Sequence, residues 1–96
     1  MQFGGCFYIL TNKINTVLYI GVTSDLHSRV SEHKEKKYET SFTAKYNCNK
    51  LIYYECFSRI EEAIAREKQM KKWKREWKEK LISGFNPHWI DLFDQL

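Results

Sequence analysis

The chain has 96 residues, which is enough for one domain with a small hydrophobic core, so we treat residues 1–96 as a single domain. Hydrophobic residues make up 43% of the sequence and charged residues 29%, a balance that excludes a disordered tail. The formal net charge is +4. No apolar stretch approaches the roughly 20 residues that a membrane span requires, so we expect no contact with a membrane.

The N-terminal sequence and the cysteines both favour a cytoplasmic protein. The chain does not begin with a basic segment followed by an apolar run, so we expect no signal peptide. Cys6, Cys48 and Cys56 form no Cys-x-x-Cys pair, and we expect them to be buried reduced thiols. A zinc site built from Cys48, Cys56 and a histidine is the weaker alternative, because its spacing matches no zinc-ligand pattern.

Two segments near the N-terminus are predicted to form a β-hairpin. Residues 6–11 and 16–22 are rich in β-branched and aromatic side chains, and residues 12–15 between them are turn-like. If the strands pair directly across this short turn, Tyr8 lies opposite Tyr19. Both phenols then emerge on the same face of the sheet.

A helix is predicted to follow, with Ser24 as its N-cap and its end at about Lys36. On a 3.6-residue period, one arc carries Leu26, Arg29, Val30 and His33. Glu32 and Glu35 are predicted to point away from that arc. A cation and an imidazole beside the sheet need a partner or a function.

Residues 37–48 show no clear period and are predicted to be a surface loop, and residues 50–57 a third strand. Ser58 and Glu61 then form a predicted capping box at the start of a second helix. The apolar stripe of this helix comprises Ile60, Ala63, Ile64, Glu67 and Met70. Glu67 is an acid where an apolar residue is expected, and such an acid usually pairs with a cation or binds a metal ion.

The excess positive charge lies in one segment, with eight Lys or Arg against three Glu from residue 66 to residue 80. Either this segment binds phosphates or it is a solvated helix face. The predicted phosphate contacts are Lys71, Lys72, Lys74, Arg75 and Lys78, with Trp73 and Trp77 among them. Residues 72–81 continue the helix or bend into another, which Gly84 ends, and residues 89–93 form a short amphipathic cap.

These elements predict an α+β fold of the order β-β-α-β-α-α, in which helices flank a small three-stranded antiparallel sheet. The tyrosine motifs and later polar residues resemble the GIY-YIG nuclease superfamily, specifically its small stand-alone single-domain branch. Cys6-Phe7-Tyr8 keeps only the tyrosine of the first motif, and Tyr19-Ile20-Gly21 is complete. The further matches are Arg29, His33, Glu67 and Asn86. The resemblance covers roughly residues 7–92.

The resemblance implies that the protein hydrolyses DNA with one divalent metal ion, Mg²⁺ or Mn²⁺, bound by Glu67. It implies that Arg29 binds a phosphate oxygen, and that Tyr8, with Tyr19 beside it, deprotonates or orients the attacking water. A free phenol has a pKa of about 10, so Arg29 and the metal are expected to lower the pKa of Tyr8. His33 would relay a proton or hold a phosphate, and Asn86 would organise the site or a helix end.

The leading interpretation is a DNA endonuclease of low sequence specificity, active in DNA repair or processing on damaged, branched or single-stranded forms. The alternatives are a nucleic-acid-binding module of the same fold that cuts little or not at all, and an interaction domain that recruits a repair complex. The residues also have ordinary structural explanations. The tyrosines can be a packed cross-strand pair, Arg29 can pair with Glu32, and Glu67 can pair with Lys71.

Overall fold

The computed structural model describes residues 4–36 and 41–96 and confirms the predicted α+β fold. The strands are β1 (Gly5–Thr11), β2 (Leu18–Thr23) and β3 (Lys50–Phe57), and the helices are α1 (Leu26–Lys34), α2 (Phe42–Lys45), α3 (Ile60–Lys71) and α4 (Arg75–Phe85). A 3₁₀ turn covers Phe93–Gln95. The sheet order is β2-β1-β3, with both pairs antiparallel, so β2 and β3 are its edges.

The hydrophobic core has two halves, one on each face of the central strand β1. Side chains of a strand alternate between faces, and every residue of β1 is buried. One half of the core comprises Cys6, Tyr8, Leu10, Leu26, Val30, Cys48, Leu51 and Leu92. The other comprises Phe7, Ile9, Ile20, Ile52, Tyr53, Met70 and Ile82. Helix α1 therefore packs on the Tyr8 face, while α3 and α4 pack on the opposite face. Within the described ranges, no helix is long and apolar enough to cross a bilayer.

The predicted hairpin register is wrong, although its main consequence holds. Tyr8 pairs with Gly21, and Tyr19 pairs with Leu10. The connection is longer than predicted because the Asn12 side chain accepts hydrogen bonds from the backbone N–H groups after the turn, at 2.8 and 3.1 Å, and delays the start of β2. The shift amounts to two residues, which preserves the face on which each side chain lies. Both tyrosines therefore do share one face.

Both predicted helix caps are wrong by one residue. The N-cap of α1 is Asp25, not Ser24, and its carboxylate accepts hydrogen bonds from the backbone N–H and the hydroxyl of Ser28 at 3.2 and 2.9 Å. These bonds hold the pKa of Asp25 below its usual range. The N-cap of α3 is Arg59, whose side chain makes no capping bond, so the predicted Ser58 capping box is absent.

Part of the predicted loop is ordered as helix α2. The hydroxyl of Ser41 caps this turn by accepting a hydrogen bond from the N–H of Ala44 at 3.3 Å. Thr43 in the same turn is only 3% exposed, which a surface loop would not produce. Residues 37–40 of the predicted loop lie outside the described residues.

The basic segment adopts the second of its two predicted arrangements. Helix α3 ends at Lys71 and a separate helix begins at Arg75. Gly84 does not end α4, because the helix continues to Phe85. In the predicted amphipathic cap at residues 89–93, Leu92 is buried in the core and Ile90 is exposed, and the 3₁₀ turn begins at Phe93.

Two of the three cysteines are not the reduced thiols predicted from the sequence. Cys6 and Cys56 are direct partners in the pairing of β1 with β3, and they form a disulfide. The sequence alone does not reveal this pairing, because the register of β3 depends on long-range contacts. Cys48 is a free, fully buried thiol as predicted, and burial raises its pKa.

Candidate active site

The rings of Tyr8, Tyr19 and His33 meet on one face of the sheet, beneath α1. The Tyr8 hydroxyl and His33 Nε2 lie 3.0 Å apart, within hydrogen-bond distance. The Tyr19 ring centroid is 6.3 Å from that of Tyr8 and 5.6 Å from that of His33. A Cβ at Gly21 would lie 2.5 Å from the Tyr8 ring and hydroxyl, so only glycine leaves room for this phenol. The close approach of the Tyr8 phenol to the backbone at Gly21 therefore explains the glycine in the Tyr-Ile-Gly motif.

Burial controls the protonation of this cluster. Tyr8 is 1% exposed, and this burial raises its pKa far above the usual value of 10. The charge of Arg29 acts in the opposite direction but does not offset burial and the nearby Tyr19 hydroxyl. The expected lowering of the Tyr8 pKa by Arg29 is therefore outweighed. Burial and Arg29 together lower the pKa of His33 below 6.5, so this imidazole is neutral at pH 7.

Thr43 is a site residue that the sequence reasoning missed. Its hydroxyl lies 2.8 Å from His33 Nδ1 and 3.2 Å from the hydroxyl of Ser41. A neutral imidazole has one N–H and one lone pair, and hydroxyls here face both of its nitrogens. Serine is a common N-cap residue, so Ser41 could have signalled a helical turn, but nothing in the sequence places Thr43 beside His33.

Arg29 lies at the edge of the cluster in an ion pair with Glu32, at 3.8 Å. The Glu32 side chain is only 26% exposed, so the prediction that it points away from the site is wrong. Residues three apart on a helix are neighbours, and the two charges attract each other. The Arg29 side chain is 41% exposed, which leaves its guanidinium accessible to a ligand in solvent.

Glu67 lies on α3, in the other layer of the fold. Its side chain is 13% exposed, as its position in the apolar stripe predicts, and it pairs with Lys71 Nζ at 3.4 Å. A cavity of about 370 Å³ lies along the edge strand β2, where the two layers meet. The cavity is lined by Leu18, Tyr19, Ile20, Phe42, Lys71 and Lys78. It therefore connects the tyrosine cluster with the lysine that pairs with Glu67.

The residues present fit a Mg²⁺ or Mn²⁺ ion that is held mainly by water and substrate. Among the residues described, no three His, Cys, Asp or Glu side chains are grouped closely enough to hold a metal ion. Mg²⁺ commonly binds one or two carboxylates and completes its shell with waters and phosphate oxygens. A single largely buried carboxylate such as Glu67 suits that coordination.

Asn86 is a buried C-cap residue at the end of α4, only 4% exposed. Its side-chain amide donates hydrogen bonds to the carbonyls of Ile52 and Ile90 at 3.2 and 2.8 Å. Its side-chain oxygen accepts a hydrogen bond from the N–H of Ile90 at 3.1 Å. These contacts connect α4 to β3, so the geometry favours the helix-end role that the sequence left open.

The five predicted phosphate contacts have different surroundings in the fold. Lys71 and Lys78 meet at the cavity, where burial and then the charge of Arg75 lower the pKa of Lys78. Arg75 instead donates hydrogen bonds to two backbone carbonyls of the β1–β2 connection and to Glu79, each at 2.8 Å. Lys74 lies over the ring of Trp77, and Lys72 is exposed at the end of α3.

The fold and this cluster agree with the family indicated by the tyrosine motifs. The chain belongs to the GIY-YIG family, since residues 4–80 match the model described as the GIY-YIG catalytic domain. This is a family of nuclease domains, and membership implies a nucleic-acid substrate. The match includes the two tyrosines, Arg29, His33 and Glu67 and ends before Asn86.

The chain is also similar to small proteins named UPF0213. It is 38% identical to UPF0213 protein YazA of Bacillus subtilis over 79% of this chain and 75% of that one. It is 36% identical to a UPF0213 protein of Bacillus licheniformis over 88% of this chain and 86% of that one. A UPF0213 protein of Haloquadratum walsbyi is 34% identical over 67% of this chain and 71% of its own. No solved structure matches the chain significantly.

Proposed function

We propose that this protein is a divalent-metal-dependent endonuclease that hydrolyses DNA phosphodiester bonds with low sequence specificity. The observation that carries the proposal is the hydrogen-bonded Tyr8–His33 pair, with Tyr19 against both rings and Arg29 beside them. A cross-strand tyrosine pair formed for packing alone does not need an imidazole at one hydroxyl. It also does not need a neighbouring guanidinium that is 41% exposed.

Glu67 would hold the metal ion, which when bound supplies Lewis-acid stabilisation of charge on the phosphate and the leaving oxygen. The chain's own residues account for the remaining steps. Arg29 binds a non-bridging phosphate oxygen and offsets the charge that develops there in the transition state. Its partner Glu32 lies one turn away on the same helix, 3.8 Å from the guanidinium.

The burial of Tyr8 assigns the two phenols different tasks. Tyr19 is half-buried and lines the cavity, so it is the phenol that contacts the attacking water. Tyr8 is buried behind Tyr19 and has a raised pKa, so it is protonated before the reaction and acts as a proton relay rather than as a phenolate base. The water proton moves to the Tyr19 oxygen, the Tyr19 proton to Tyr8, and the Tyr8 proton to neutral His33 Nε2. The water oxygen bonds to phosphorus as the bond to the 3′ oxygen breaks, the 3′ oxygen takes a proton from solvent water, and His33 returns its proton to solvent.

Thr43 can support the tautomer on which this relay depends. With its Oγ1 accepting from His33 Nδ1–H, the Nε2 lone pair points to the Tyr8 hydroxyl. The imidazolium formed after proton transfer keeps the same donor at Nδ1. Thr43 is therefore a positioning residue in the proposed mechanism.

Phosphate contacts account for the proposed low sequence specificity. Lys71 and Lys78 line the cavity and contribute charge without reading base edges. We further propose a role in DNA repair or processing and a cytoplasmic location. Because Cys6 and Cys56 form a disulfide, these two cysteines do not support a cytoplasmic location.

The test is single-turnover cleavage of labelled DNA with Mg²⁺ by wild type, Tyr8→Phe and Tyr53→Phe. Tyr53 is a matched control, because it is a buried tyrosine whose hydroxyl donates a hydrogen bond to Glu55 outside the cluster. We expect Tyr8→Phe to be slower by about 10² to 10⁴-fold, the usual worth of a proton-transfer group. Tyr53→Phe should cleave within about threefold of wild type if losing an ordinary hydrogen bond leaves the site intact. Equal rates for the two variants would exclude the relay.

A nucleic-acid-binding module with little cleavage is the second candidate. The near-complete burial of Tyr8 favours it, since a buried phenol can serve packing alone. Binding without metal-dependent product formation by wild type would establish this alternative.

A further inference from the structure

A row of three aromatic rings leads away from the cavity, and the mechanism above uses only the innermost of them, Tyr19. We call Tyr19, Phe42 and Tyr46 the aromatic ladder. The Tyr19 and Phe42 rings are stacked with centroids 6.0 Å apart, and the Phe42 and Tyr46 centroids are 4.7 Å apart. Phe42 is 47% exposed and Tyr46 is 42% exposed, so the outer part of the ladder faces solvent.

Burial alone does not explain these two side chains. Helix α2 is a single short turn, and its buried anchor is Thr43, which contacts His33. Phe42 and Tyr46 lie on the same turn, yet each keeps more than two fifths of its surface in water. Large aromatic rings grouped and exposed beside a site usually contact a ligand.

The charges around the ladder define that ligand. Phe42 lines the cavity together with Lys71 and Lys78. Lys45 Nζ lies over the Tyr46 ring, 5.4 Å from its centroid. Ring faces flanked by lysines suit a strand whose phosphates meet the ammonium groups and whose bases stack on the rings. Bases in an intact duplex already stack on one another, so the ring faces are available only to an unpaired base.

We propose that Phe42 and Tyr46 form a stacking site for an unpaired base of a single-stranded DNA segment whose phosphate enters the cavity. The inference rests on the proposed nuclease function for the identity of the ligand. It adds a substrate feature, because it requires the cut strand to be single-stranded next to the scissile phosphate. It also gives α2 two linked tasks, since Thr43 holds His33 while its neighbours hold the base.

The test measures binding in EDTA, so that cleavage does not interfere, by fluorescence anisotropy with three labelled oligonucleotides. These are a single strand, a hairpin duplex and an abasic single strand of equal length and charge. Phe42→Ala and Tyr46→Ala should each weaken binding of the base-bearing strand by at least about fivefold, the lower range for one stacked base. Binding to the abasic strand should stay as in wild type.

Phe85→Ala is the matched control, because Phe85 is 50% exposed but packs against Tyr53 and Tyr54 of the other edge strand. It should leave binding of the base-bearing strand unchanged. Phe42→Leu keeps an apolar side chain in α2 and loses only the ring face, so it provides the test if the alanine variant does not fold. It should weaken binding to the base-bearing strand by a similar factor.

Ladder variants that bind all three oligonucleotides as wild type does would overturn the proposal and favour a protein as the occupant. An equal loss on the base-bearing and abasic strands would also overturn it, since phosphate contact would then explain the effect. If wild type binds the base-bearing strand through the ladder but cleaves no oligonucleotide, the stacking site is supported and the proposed hydrolysis is wrong.

Discussion

Replacing Asn86 with alanine distinguishes a residue that holds the fold from one that acts on the substrate. Its side chain makes three hydrogen bonds to the backbone of Ile52 and Ile90 and is 4% exposed. The substitution leaves these backbone groups without that partner in a place that water does not readily reach. At about 1 kcal/mol for each lost bond, Asn86→Ala should lower the free energy of unfolding by about 3 kcal/mol.

Asn12 provides the matched control. Its side chain makes four hydrogen bonds in a turn that solvent reaches: it accepts from two backbone N–H groups and from the Thr11 hydroxyl, and it donates to the Thr16 hydroxyl. Water replaces these partners when Asn12 is truncated, so Asn12→Ala should cost about 1 kcal/mol. The difference between the two variants measures the effect of burial on otherwise similar sets of bonds.

The assay is urea unfolding of wild type and both variants, followed by cleavage rates at low urea corrected for the folded fraction. We expect the Asn86→Ala rate per folded molecule to stay within about threefold of wild type, since purely structural losses leave the native site intact. A stability loss below about 1 kcal/mol would refute the burial argument. A rate loss above about tenfold per folded molecule would show that Asn86 acts on the reacting groups.

Four further results are expected. Thr43→Val should lower cleavage about tenfold and alter its pH profile through His33, whereas Thr43→Ser should restore both; an unchanged profile would separate Thr43 from the relay. Arg29→Lys should lower the cleavage rate at least about tenfold, because the point charge of lysine replaces the several N–H donors of the guanidinium. A wild-type rate in this variant would contradict the binding of phosphate by Arg29. Because burial lowers the folded-state pKa of His33, the unfolded state binds more protons as the pH falls through 6.5. The free energy of unfolding should therefore be highest above about pH 6.5 and fall on acidification, and it should fall less steeply in His33→Gln. Parallel curves of unfolding free energy against pH for the two proteins would contradict this. DNA binding should weaken steeply with salt, and Lys78→Gln should reduce the salt slope by about one; a slope near zero in wild type would exclude phosphate binding.

The sequence predicted the fold where local chemistry and burial agree. Residues 50–57 combine β-branched and aromatic side chains, and β3 has those bounds. Glu67 interrupts an apolar stripe, and its side chain is 13% exposed, as that position requires. The shared face of Tyr8 and Tyr19 was also correct, because side chains alternate along a strand with a fixed period of two.

The remaining features depend on contacts that are distant in the sequence. The side chain of Asn12, not the turn composition alone, sets the hairpin register. The disulfide depends on the register between β1 and β3, which are separated in the sequence by β2 and two helices. Thr43 was missed because its role arises from a hydrogen bond to His33 in another helix. The raised pKa of Tyr8 likewise arises from burial, which no short motif reports.

Glu67 is the residue on which the central claim, metal-dependent hydrolysis, most directly depends. The decisive measurement is Mg²⁺-dependent cleavage of labelled DNA by wild type, Glu67→Gln and Glu62→Gln, with analysis of the product ends. Glu62 is an exposed acid on the same helix and serves as the control. The account predicts 5′-phosphate ends from wild type and Glu62→Gln. It predicts that Glu67→Gln cleaves at least about a hundredfold more slowly, which corresponds to a loss of about 3 kcal/mol of metal-derived stabilisation. Equal cleavage by all three proteins, or no cleavage by wild type with either Mg²⁺ or Mn²⁺, would contradict it.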